Sequence, residues 1–116
     1  MKIKLKRVYE EPEKEDGFRI LVDRLWPRGL SKEKAKVDLW LKEVAPSNEL
    51  RKAFHGEKME WVEFKKRYLK ELGNCKEHLE VLRKKAEEEK VTLVYGAKDE
   101  EQNQAVVLRE VLSFSK

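Results

Sequence analysis

In the segment Leu21-Val-Asp-Arg-Leu-Trp-Pro-Arg-Gly29 an apolar run breaks abruptly into Asp23, Arg24 and Arg28, interleaved with Trp26 and a Pro/Gly stop. Two guanidinium groups in so short a span can grip an oxyanion, because each offers a fork of N–H donors matched to a phosphate or carboxylate. Asp23 can move a proton, and Trp26 with Trp40 can flank a planar ligand. A second cluster surrounds the end of another apolar run, Val91–Tyr95, where Tyr95 is followed by Lys98, Asp99 and Asn103. Lys98 adds a point charge, whereas Tyr95, Asn103 and the distant Ser47 add polar groups that orient a ligand. His55, between Phe54 and Gly56, has the chemistry of a general acid or base. Each residue also has a structural alternative: Arg24 paired with Asp38 or Glu43, Asp23 capping a turn, the tryptophans in the core, His55 simply solvated.

Everything depends on which elements bring the two clusters together. Residues 2–9 alternate Lys2, Lys4 and Lys6 with Ile3 and Leu5, the period of a strand with one wet face. Residues 10–17 are polar with a Pro and a Gly, and form a loop that is also the one plausible linker. A connection that short cannot join parallel neighbours, so the first two strands are antiparallel or separated within the sheet. Phe18–Val22, apolar on both faces apart from Arg19, and Val91–Tyr95 read as strands covered on both sides. Side by side and parallel, they bring Asp23, Arg24 and Arg28 to Tyr95, Lys98 and Asp99 at their C-terminal ends, where open α/β sheets hold ligands.

The other elements follow from caps and periodicity. Ser31 caps a short helical turn, and residues 37–44 read as a strand or, alternatively, an amphipathic helix. Ser47 caps a helix ending at His55-Gly56. Trp61, Phe64, Tyr68 and Leu72 line one helix that Gly73 closes, and Cys75, Leu79, Leu82 and Ala86 line the next, with Asn74 and Glu77 at capping-box spacing. Asp99 and Gln102 have the same spacing before a last helix carrying Ala105, Leu108 and Leu112, whose N-terminus faces the crevice and favours an anion. The expected fold is a single α/β domain over residues 1–116. It has a small, largely parallel sheet of about four strands, helices on both faces, and a helical hairpin before the last strand.

Composition narrows the function classes. The 116 residues include 27 basic and 23 acidic side chains, a net charge of only +4, so charge is interspersed and not massed on one element. Lysine-rich stretches at Lys65–Lys70 and Arg83–Lys85 are the best case for nucleic acid or a protein partner, but each is followed by acids that suit i,i+4 pairing. The lone Cys75 excludes an intramolecular disulfide and multi-cysteine metal sites, and two separated histidines lack ligand spacing, so no metal is expected. No GxGxxG, GxxxxGK or GxSxG is present, and no cofactor is expected. No apolar stretch reaches membrane-spanning length and the start alternates instead of forming a signal-peptide core, which points to a cytoplasmic protein off the membrane. Lys/Glu enrichment with two Gln, three Asn and one Cys is a thermophile-like composition.

Arg7-Val-Tyr, Asp16 to Gly29, Asp38-Leu-Trp-Leu-Lys-Glu-Val-Ala-Pro-Ser47, Leu50-Arg51, Phe64 to Leu72 and Val91 to Tyr95 together closely resemble the uncharacterised YeaO-like family. The resemblance spans nearly the whole chain and implies a small α/β protein. A wider related branch is similar in having an Asp-Val-Arg segment after its second strand, matched here by Asp23 and Arg24, and a Cys-containing segment after its last, where Gly96 and Ala97 stand. That departure counts against thiol chemistry. Family members often carry His where Gln104 stands here. The expectation is a small phosphate- or nucleotide-like anion held by Arg24, Arg28 and Lys98, with hydrolase or transferase chemistry open. The alternative is a non-enzymatic module that uses its lysine-rich helices.

Overall fold

The computed structural model describes residues 3–56 and 59–114. Four strands form one sheet in the order β1 (Ile3–Arg7), β4 (Val91–Tyr95), β2 (Phe18–Leu21), β3 (Leu39–Trp40), every neighbouring pair parallel. The short β1–β2 connection is therefore compatible with a parallel sheet, because β4 lies between those two strands. Ile20 faces Leu93 and Leu21 faces Val94 in the central pair; β4 is buried along its whole length and β2 from Arg19 onward.

Alternation along these strands separates two unlike faces. Ile20, Val22, Val91, Leu93 and Tyr95 point to the main core, which is closed by α2 (Asn48–His55), α3 (Trp61–Leu72), α4 (Lys76–Glu88) and α5 (Gln104–Phe114). The hairpin α3–α4 buries Phe64, Tyr68 and Leu72 from one helix and Leu79, Leu82 and Ala86 from the other, as their spacing predicts. The Tyr68 hydroxyl donates to the carbonyl of Val44, tying the hairpin to the segment after β3. On the other face the apolar set is small: Val8, Leu21, Ala35 and Val94, packed by Trp26, Leu30 and Val37 under the one-turn helix α1 (Lys32–Ala35). Helices thus cover both faces, but very unequally.

Charge fills the rest of that second face, and here the sequence reading is corrected. Lys6 belongs to the predicted wet face, yet it is only 7% exposed; Lys4 is exposed, and Lys2 lies outside the described residues. The acidic loop folds over the face, and completely buried Asp16 accepts from Lys6 at 3.2 Å, Lys4 at 3.3 Å, Arg19 at 2.6 Å and the backbone of Glu13 at 3.0 Å. Burial raises the Asp16 pKa, but these donors outweigh it and leave the group at about 2. The loop is therefore a packed structural element, because its carboxylate neutralises cations that the pleat turns inward.

Three boundaries also differ. Strand pairing in 37–44 stops after Leu39–Trp40, and a 3-10 turn at Lys42–Val44 buries Val44. Cys75 is the N-cap of α4 and not part of its buried stripe; its thiol is half-buried and donates to the Glu43 carbonyl at 3.3 Å. Asp99 accepts from the backbone of Glu101 and Gln102 in a preceding turn, while Asn103 Oδ1 accepts from the backbone of Val106 at 3.1 Å and caps α5. The cap moved because buried Asn103 can reach both the turn and the helix.

Candidate functional site at the strand ends

A cavity of about 280 Å³ opens at the C-terminal ends of β2 and β4. Asp23, two residues past β2, is its fixed point: Oδ2 accepts from the backbone N–H of Gly96 at 2.9 Å and Oδ1 accepts from the side-chain amide of Gln104. One carboxyl group therefore joins the end of β2, the end of β4 and the first turn of α5. Burial is the largest influence on it and raises its pKa; the two hydrogen bonds and the charge of Arg51 pull it back, leaving about 6.

Arg24, also on the cavity wall, turns toward the chain and not toward Asp38 or Glu43. Its Nε donates to the carbonyl of Pro46 at 2.9 Å and its Nη2 to that of Ala45 at 3.0 Å, which positions two wall residues. Arg28 is exposed at the mouth, where its backbone carbonyl accepts from the Tyr9 hydroxyl at 3.0 Å. Trp26 lines the cavity, but its Nε1 donates to Leu30 at 2.6 Å and its ring meets Trp40 edge to face at 5.5 Å. Trp40 in turn donates to the backbone carbonyl of Asp23 at 2.7 Å, so the two indoles brace the loop and do not form jaws around one ligand.

His55 and Asn103 are cavity residues as expected, one exposed and the other buried. Lys98 and Asp99 are exposed and stand off the wall, while Tyr95 lies beneath it, buried and hydrogen-bonded to Asn103. Ser47 is also off the wall; its Oγ caps α2 through Leu50 at 3.1 Å and donates to Glu71 at 2.6 Å. Of the predicted trio, Arg24 and Arg28 line the cavity and Lys98 does not.

The third cavity guanidinium belongs to Arg51, which the reading of charged strand ends missed. Arg51, Phe54 and His55 fall at i, i+3 and i+4 on the capped helix α2, so one helical face delivers all three to the wall. That spacing was the available signal. Arg51 Nη2 donates to Asn48 at 3.2 Å, whereas its Nε is buried without a partner among the described residues. Behind it, Phe54 stacks on Phe64 at 4.4 Å. Among the described residues no group of three or more His, Cys, Asp or Glu is placed to hold a metal ion, and no helix is long and apolar enough to cross a membrane.

A family model described as "Inactive DUF488-N3 subclade" matches residues 2–115. The chain is 48% identical over 112 residues to "Uncharacterized protein YeaO" of Escherichia coli, with 97% of each chain covered. It is 38% identical over 112 residues to "Uncharacterized protein Mb3100c" of Mycobacterium bovis and "Uncharacterized protein Rv3073c" of Mycobacterium tuberculosis, covering 97% of this chain and 94% of each of theirs. No solved structure matches at a significant level.

Proposed function

The chain belongs to this inactive DUF488-N3 subclade, the YeaO-like family, and from that premise we propose that it binds a small anionic ligand in the strand-end cavity and holds it without turnover. The observation that carries the reading is the cationic wall: Arg28 from the loop after β2 and Arg51 from α2 open onto one cavity beside His55. Arg24 acts indirectly by fixing Ala45 and Pro46.

Holding without turnover is supported by the occupied state of the chemistry-bearing groups. Both oxygens of Asp23 already accept from the protein, and among the described residues no Ser, Thr, Cys or Lys lines the cavity. Gly96 and Ala97, also on the wall, carry no group that can act as a nucleophile, acid or base. The lysine-rich helices favour the small ligand over a polyanion, since Lys65 pairs with Glu110 at 2.6 Å, Arg67 with Glu63 at 2.6 Å and Lys85 with Glu89 at 3.2 Å.

Thermal denaturation with increasing inorganic phosphate, against sodium chloride at matched ionic strength, tests the reading. Phosphate should raise the melting temperature of the natural chain by mass action. Arg51→Met combined with Arg28→Met should melt near the natural temperature without phosphate and lose the protection. A natural chain that phosphate does not protect beyond chloride, or a variant protected to the same degree, rules the proposal out.

A further inference from the structure

We infer that the ligand of this cavity is an aromatic anion, a single flat ring carrying one phosphate or carboxylate group, and this rests on the anion-binding reading above. The walls are divided by chemistry. Cationic groups come from Arg28 and Arg51, with the His55 imidazole beside them, while the Phe54–Phe64 stack and the ring of Trp26 present apolar surface to the same space. At the mouth Leu25 is 58% exposed and Tyr9 44% exposed, two large side chains left in water beside that surface. Ligand sites of this kind join a mostly apolar lining to a few placed polar groups. Size agrees with the composition: an apolar cavity of about 150 Å³ houses a benzene ring, roughly half of the 280 Å³ available, and the remainder suits one oxyanion. An inorganic anion alone would leave the aromatic wall facing water.

Calorimetric titration of the intact chain with inorganic phosphate, phenyl phosphate and phenol separates the contributions. Phenyl phosphate should bind at least tenfold more tightly than inorganic phosphate, and Leu25→Ser, at an exposed position that folding tolerates, should weaken phenyl phosphate at least threefold while leaving inorganic phosphate unchanged. Benzoate run alongside distinguishes an aryl carboxylate from an aryl phosphate, and benzoate binding more tightly than inorganic phosphate supports the inference. Equal affinity for inorganic and phenyl phosphate, or a Leu25→Ser variant that binds phenyl phosphate as before, overturns the aromatic requirement and leaves anion binding standing. Phenol binding as tightly as phenyl phosphate, or no binding by inorganic phosphate, phenyl phosphate or benzoate, removes anion binding and this inference with it.

Discussion

A β-carbon built on Gly96 would stand 2.8 Å from Oδ2 of Asp23, the same oxygen that accepts the Gly96 N–H. The end of β4 approaches the end of β2 so closely that only a missing side chain lets the carboxyl group seat. Gly96→Ala should push Asp23 off its donors and lower stability by about 1–3 kcal/mol in denaturant unfolding. In the Asp23→Ala background the same change should cost much less, as a double-mutant cycle would record. Additive effects would mean that the two residues do not meet as described.

Stability should vary with pH through Asp23. Its pKa is about 6 in the folded chain and near 3.8 when unfolded, so the unfolded state releases the proton first as pH rises. Stability is therefore full below about pH 4, declines as pH climbs to about 6, and is lower by roughly 2–3 kcal/mol above that. Asp23→Asn should flatten this window, since an amide can still accept from Gly96 and Gln104 can present its own oxygen. A natural chain whose stability is level between pH 4 and 6.5 would contradict the buried acid.

Asp16 has the opposite sign. Held at about 2, it stabilises the folded chain above the unfolded pKa and loses that contribution as pH falls toward 2. Asp16→Asn leaves Arg19 buried without its counterion and Lys6 with Glu13 alone, a change expected to cost about 3–5 kcal/mol. Urea titration at pH 7 measures it, and a loss below 1 kcal/mol would show that the network contributes little.

The arginines at the strand ends should separate by role. Arg24→Met strands the carbonyls of Ala45 and Pro46 and should lower stability by about 2–3 kcal/mol, whereas Arg28→Met, at an exposed position, should stay within about 0.5 kcal/mol. Equal losses in parallel denaturation curves would refute the division.

Much of this architecture is legible along the chain. The double apolar runs mark the two central strands, Ser31 and Ser47 cap the helices that follow them, and the 3–4 spacing of Phe64, Tyr68, Leu72, Leu79 and Leu82 fixes the hairpin. These are local signals, because periodicity and capping involve residues a turn apart. Leu39–Trp40 was less legible, since a two-residue strand has too little alternation to tell it from a helix face.

Residue types could say that Asp23, Arg24, Arg28 and His55 gather where the chain changes from strand to loop; they could not say which way each side chain turns. Arg24 points to Pro46, 22 positions on, and Asp23 to Gly96, 73 positions on. Arg51 reaches the cavity only because α2 packs across the strand ends, and Lys6 and Asp16 change from solvated charges into a buried network only because the loop folds over the sheet. Local pattern set the elements and their faces through short-range sterics and the need to bury apolar surface. The partner of each charge was decided by long-range packing, because a guanidinium or carboxyl group taken out of water must find whichever donor or acceptor the assembled fold places within about 3 Å.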